Sequence, residues 1–260
     1  MADKYSPVGV LDSGLGGVSV LRELVALLPS EDYIYFGDSV NAPYGTRADE
    51  EIISLSMNAI ERLIGENVKA IVVGCNTISA NIKLLRKKYA SLPIIATEPA
   101  VKPAAESFPN GNVVVMATTA TLRGKKFAEL AKRYGSAANI IKCPCPGLME
   151  FVERNETHSE DLRKYLEEKF ASLDGLNCGK IDAIVLGCTH YPFLRGMISE
   201  VAGDGVRIFE PGAGIARQLK RVLRAGGLLN DKTGQGKIIW QNSSPDPRMN
   251  ELGKMLLAMK

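Results

Sequence analysis

The chain has 260 residues, 45% hydrophobic and 23% charged, with no low-complexity tract; this excludes a disordered protein and fits one large α/β unit or two smaller ones. A formal charge of +3 from dispersed Lys and Arg is too mild to imply nucleic acid, and it leaves a small anion, or simply a solvated basic surface, as what charge permits. The opening string MADKYSPVGVLDSG has no signal-peptide apolar region and no later run is long enough to span a bilayer, so no membrane partner and a cytoplasmic location are expected.

In that compartment Cys75, Cys143, Cys145, Cys178 and Cys188 are expected to stay reduced, available for catalysis, metal binding or plain burial. Short apolar runs at 8–11 (VGVL), 33–36 (YIYF), 70–74 (AIVVG), 113–117 (VVVMA) and 183–187 (AIVLG) read as buried strands. Between them lie helical stripes such as Ile52, Ile53, Ala59, Ile60, Leu63, Ile64 and, later, Leu162, Tyr165, Leu166, Phe170, Leu173. A parallel crossover needs a helix-sized connection, so the alternation predicts an α/β, doubly wound fold with mainly parallel sheets.

In such sheets ligands sit beyond the carboxyl ends of the strands. The residues there are Asp12-Ser13-Gly14, Cys75-Asn76-Thr77, Thr118-Thr119 and Cys188-Thr189-His190. Helices are predicted to start at about Gly16, Ile78, Leu122 and Phe193, turning unpaired N–H groups toward the same region, as a carboxylate site would require.

The strings AIVVGCNT (70–77) and AIVLGCTH (183–190) align without gaps at an offset of 113 residues. One Gly-Cys strand end reads as a buried small apolar side chain. Two equivalent ones predict two pseudo-symmetric α/β halves, each presenting a thiol to a shared cleft that is the active site. Racemisation needs that symmetry: one base removes the α-hydrogen from one face while a protonated partner supplies the other face. Thiols suit both roles because a free thiol titrates at roughly pH 8.5, within reach of neutrality.

The set DSGLGG (12–17), YFGD (35–38), PYG (43–45), GCNT (74–77) and GCTHYP (187–192) resembles, in order and over most of the chain, the glutamate racemases of the aspartate/glutamate racemase superfamily. The resemblance implies an isomerase without pyridoxal phosphate or any other cofactor, in which Cys75 and Cys188 are the two bases. It implies supporting roles in thiol protonation for Asp12 and His190. Substrate contacts fall on Asp12, Ser13, Tyr44, Gly45, Asn76, Thr77, Thr118, Thr121 and Thr189, mostly neutral hydrogen-bonding groups. A catalytic glutamate, counted from Cys145-Pro146, falls on Glu153; Glu150 stands where the family usually has proline, which sets Glu150 against Glu153 for that role. The resemblance also implies two domains, 1–97 completed by 212–260, and 98–211, and a homodimer as the assembly.

Each residue also has a plainer reading. Asp12-Ser13-Gly14 alone would be a capped turn, His190 a satisfied core histidine, Thr118 and Thr121 helix caps, and Tyr44 a surface residue of a turn. Cys143-Pro144-Cys145 lacks the usual zinc spacing, so no metal is expected, and Cys178 reads as a loop thiol. The expected function is interconversion of L- and D-glutamate, which the resemblance links to peptidoglycan synthesis, cell-wall biogenesis and cell shape. Racemisation of aspartate or another small amino acid, or a non-catalytic amino-acid binding module, are the alternatives.

Overall fold

The computed structural model describes residues 2–174 and 180–259, so Cys178 lies outside the described residues. Two compact units divide the chain, Met1–Thr97 with Gly212–Lys260, and Glu98–Pro211.

The first unit holds strands β1 (Val8–Asp12), β2 (Tyr33–Gly37), β3 (Ala70–Val73) and β4 (Ile94–Ala96). The second holds β5 (Asn112–Ala117), β6 (Asn139–Pro144), β7 (Ala183–Leu186) and β8 (Arg207–Phe209). A last strand, β9 (Ile238–Asn242), returns to the first unit. Among the described residues these form two sheets, ordered β4-β3-β1-β2-β9 and β6-β5-β7-β8, with every pairing parallel.

Set β9 aside and the two orders are the same, with β5 to β8 standing for β1 to β4. The equivalence extends to single hydrogen bonds: Gly74 N–H donates to the Leu11 carbonyl and Gly187 N–H to the Met116 carbonyl, each at 2.7 Å. Cys75 and Cys188 are therefore the first residues past equivalent glycines on equivalent strands.

Central strands are largely apolar because helices cover both faces of a parallel sheet; β1, β3 and β7 are buried at every residue, the terminal Asp12 of β1 included. In the first unit, the helix Asp49–Gly65 buries Ile52, Ala59, Ile60 and Leu63 against Leu11, Ile34 and Ile71, although Ile64 of the same predicted stripe is 42% exposed. In the second, the helices Val101–Ser107 and Lys125–Tyr134 supply Val101, Ala104, Phe127 and Leu130 to a core with Val113, Val115 and Val185. Among the described residues no helix is long and apolar enough to cross a membrane.

The segments after the strands depart from the predicted helix starts. Behind β1 the helix begins at Val18, and behind β5 at Thr119. Behind the thiols there is only a single turn at Asn76–Ser79, followed by a separate helix at Ile82, and a 3-10 turn at Tyr191–Leu194 before the helix at Arg195. Pro192 and its neighbours tighten that second start. Such short pieces carry little of the dipole that a long helix would aim at a thiol, so side-chain partners take on more of the work.

Candidate functional site

The switch point of each sheet, where the chain leaves the first strand in one direction and returns on its other side, falls between β1 and β3 in the first unit and between β5 and β7 in the second. The candidate residues gather at the carboxyl ends of those pairs: Asp12, Ser13, Tyr44, Gly45, Asn76 and Thr77 with Cys75, and Thr118, Thr121, Glu153, Thr189 and His190 with Cys188.

In the first unit Asp12 is fully buried, and its Oδ1 accepts the Gly14 N–H at 2.8 Å. Two glycines make room for it. A Cβ on Gly17 would lie 2.7 Å from Asp12 Cβ, and one on Gly74 would lie 3.0 Å from the Gly17 Cα and 3.6 Å from Asp12 Oδ2. The last glycine of DSGLGG and the glycine before Cys75 thus share one task, seating this carboxylate. Gly17→Ala is expected to displace Asp12 and to cost about 1–3 kcal/mol of stability, the usual penalty of overpacking. Urea unfolding together with kcat/KM on the folded variant checks this, and wild-type values in both would refute it.

Cys75 is buried at 6% exposure, and its Sγ lies 3.4 Å from Ser13 Oγ. Asn76 is 7% exposed, and neither its Nδ2 nor its Oδ1 has a hydrogen-bond partner among the described residues. An amide left that way costs free energy unless something else binds it. Thr77 is buried beside it, and Gly45 is half-buried.

Tyr44 is not a surface residue. It is 1% exposed, and its O–H donates to Asp38 Oδ2 at 2.6 Å. Asn41 Nδ2 holds the same carboxylate through both oxygens, at 3.1 and 3.0 Å. Burial first, then the Asp38 carboxylate, push the Tyr44 phenol far above its ordinary range, so it stays a neutral donor. Asp38 is absent from the sequence-based candidates, although its place one residue past β2 was the available signal.

In the second unit Cys188 is buried at 7% exposure, and its Sγ lies 3.8 Å from His190 Nδ1. On the other side of the ring, His190 Nε2 is 3.0 Å from Glu153 Oε1. With Nε2–H donated to the carboxylate, Nδ1 is left to accept a proton from the thiol, and the imidazolium so formed is stabilised by Glu153. Glu150 points elsewhere: it pairs with Arg154 at 3.3 Å, both largely exposed. The short helix Leu148–Glu153 therefore turns Glu153, not Glu150, toward the histidine. Thr118 caps the helix Thr119–Arg123, accepting Thr121 N–H at 3.2 Å and donating to Thr121 Oγ1 at 3.0 Å, so the capping reading describes its geometry. Thr189 is buried at 2% exposure.

Burial works against a charged His190, but the Cys188 and Glu153 partners outweigh it and hold the ring well above its ordinary value. A pKa raised on folding contributes stability fully below the unfolded value, at roughly pH 6.5, and loses it as pH rises through the folded value. The stability advantage of the wild type over His190→Asn is therefore expected to be greatest on the acid side and to shrink as solutions become alkaline. Urea unfolding of both proteins across pH checks it; an advantage that grows with pH would contradict the ion pair.

Among the described residues no group of three or more His, Cys, Asp and Glu side chains is placed to hold a metal ion, and Cys143 and Cys145 sit together as buried free thiols.

Residues 8–219 match the family model described as Asp/Glu/Hydantoin racemase. The chain belongs to the Asp/Glu/hydantoin racemase family. Within this racemase family it is 45% identical over 258 residues to a Clostridium botulinum protein named glutamate racemase, covering 99% of each chain. The structure of glutamate racemase from Francisella tularensis in complex with D-glutamate superposes with a TM-score of 0.83 at 27% identity, covering 99% of this chain and 95% of that one. The RacE1 isoform of Bacillus anthracis glutamate racemase gives 0.84 at 28% identity, covering 99% and 96%. Both carry the same α/β architecture, and the chain is an amino-acid racemase of this family.

Proposed function

We propose that this racemase interconverts L- and D-glutamate by two proton transfers, one through Cys75 and one through Cys188, using side chains alone. The observation that carries the reading is the placement of two buried thiols past equivalent glycines on equivalent strands, each with its own polar partners. In one direction the thiolate of one cysteine takes the α-proton while the S–H of the other delivers hydrogen to the opposite face; the reverse direction exchanges the roles.

The partners differ. Ser13 and the seated Asp12 accompany Cys75, whereas the His190–Glu153 pair accompanies Cys188. Each thiol thus has its own route for resetting its proton after turnover. The substrate contacts proposed are Asp12, Ser13, Tyr44, Gly45, Asn76, Thr77, Thr118, Thr121 and Thr189. The unpartnered Asn76 amide supports them, as does a relative whose structure holds D-glutamate. Neutral donors stabilise a carbanion without locking one configuration. The product would serve peptidoglycan synthesis in the cytoplasm, from a homodimeric enzyme.

Incubation of either glutamate enantiomer in deuterium oxide is expected to give the opposite enantiomer with deuterium at Cα, read by NMR and chiral chromatography. Absence of exchange with glutamate, together with exchange of aspartate, would transfer the assignment to that substrate. Binding without exchange of either would leave a non-catalytic module.

A further inference from the structure

Cys143 and Cys145 take no part in the chemistry above, yet their sulfurs lie 3.7 Å apart and both are 2% exposed. Cys143 is the fifth residue of β6 and Cys145 follows its last residue, Pro144, and the short separation of the sulfurs puts both side chains on one side of the chain. We infer that Cys143 and Cys145 form a reversible redox site, closing to a disulfide with a peroxide as oxidant and thereby lowering activity at Cys188.

The pair is chemically differentiated. A hydrogen bond from Cys145, opposed by burial, holds the Cys143 thiol below its ordinary value, while that same bond and burial push Cys145 up. Cys143 is therefore the readier of the two to ionise and Cys145 the one that keeps its proton, the division that attack on an oxidant requires. The Cys143 sulfur attacks one peroxide oxygen and the other leaves as hydroxide, which is protonated to water; Cys143 becomes a sulfenic acid. The Cys145 sulfur then attacks Cys143, the S–O bond breaks, and the hydroxyl departs with the Cys145 proton as a second water. Two thiols and one peroxide give one disulfide and two waters. A dithiol reductant reverses it by exchange.

Closure brings the sulfurs from 3.7 Å to the roughly 2.0 Å of a bond. The backbone that must follow is held at two successive carbonyls: Tyr191 O–H donates to the Cys145 carbonyl at 3.1 Å, and Tyr165 O–H to the Pro146 carbonyl at 2.9 Å. Tyr191 directly follows His190, and the helix bearing Glu153 starts at Leu148, three residues beyond Cys145. A pull on Cys145 therefore reaches both members of the pair that partners Cys188.

The effect on activity rests on the function proposed above, but the chemical step does not, and the experiment separates them. Folded protein is treated with hydrogen peroxide in the presence of glutamate, alkylated and digested with trypsin. Cleavage after Lys142 and Arg154 releases both cysteines in one peptide, free of Cys75 and Cys188. The expected result is that this peptide loses two hydrogens and escapes alkylation, with racemisation falling roughly tenfold or more. Dithiothreitol should restore both, while Cys143→Ala starts at wild-type activity and gives no reversible loss. Full alkylation of both cysteines after oxidation would overturn the inference, as would a disulfide to Cys188 instead. A closed disulfide with unchanged racemisation would overturn the control of Cys188 while leaving the proposed function intact.

Discussion

Cys75→Ala is expected to abolish net racemisation, lowering kcat/KM in both directions by roughly 10³-fold or more, because removing one of the two proposed bases interrupts both half-reactions. The informative result is what survives. On the proposed mechanism Cys188 can still take a proton from one enantiomer, exchange it with solvent and return a deuteron to the same face. Cys75→Ala should therefore wash deuterium into a single glutamate enantiomer with retention, and Cys188→Ala into the other. Chiral analysis after incubation in deuterium oxide checks the pair; exchange of the same enantiomer by both variants would contradict the assignment of one thiol to each face.

The second large effect is on stability and lies away from the thiols. Lys69 and Glu31 form an ion pair with side-chain exposures of 0% and 2%. Lys69 Nζ also donates to the Lys4 carbonyl at 2.6 Å, and Glu31 Oε1 accepts the Asn230 N–H at 2.8 Å. The pair thereby joins the N-terminal segment, the loop before β2 and the chain approaching β9. Lys69→Met leaves a buried carboxylate without its cation and is expected to cost about 3–5 kcal/mol, while changing Glu31 to Met as well should recover much of that. Urea denaturation of the single and double variants decides it: a single variant within about 1 kcal/mol of wild type would show that the pair contributes little.

The sequence made the interior of the fold legible and left its margins hidden. The runs at 8–11, 33–36, 70–74, 113–117 and 183–187 became β1, β2, β3, β5 and β7, all flanked by strands on both sides. The strands without a signal, β4, β6, β8 and β9, are the sheet edges. An edge strand is covered less completely, so its pattern is broken: β6 alternates buried Ile141 and Cys143 with exposed Lys142 and Pro144. A continuous apolar run is a signature of enclosure on both faces, and edges do not supply it.

The candidates beside the strands, from Asp12 and Ser13 to Cys188, Thr189 and His190, were visible for a related reason, since the carboxyl end of a recognisable strand can be read directly; Tyr44, Gly45, Thr121 and Glu153 came from the family resemblance alone. What lay outside reach was anything set by a second element. Asp38 needed the fold of 38–44 to show that it holds Tyr44. The resemblance placed the glutamate at Glu153, but that Glu153 meets His190 while Glu150 pairs with Arg154 needed the phase of the helix Leu148–Glu153. The glycines of DSGLGG were legible as a turn, but the void that Gly17 leaves for Asp12 is a fact of packing.

The parallel pairing of β9 with β2, Tyr33 against Ile238 through Gly37 against Asn242, has a bearing on how the molecule is made. During translation the stretch 98–211 emerges whole, while the sheet begun before it must wait for the later segment that carries β9. The usual N-terminal-first order of nascent-chain folding is thus inverted. Until Ile238–Asn242 has emerged β2 keeps an open flank, the kind of unpaired edge that invites association with other chains.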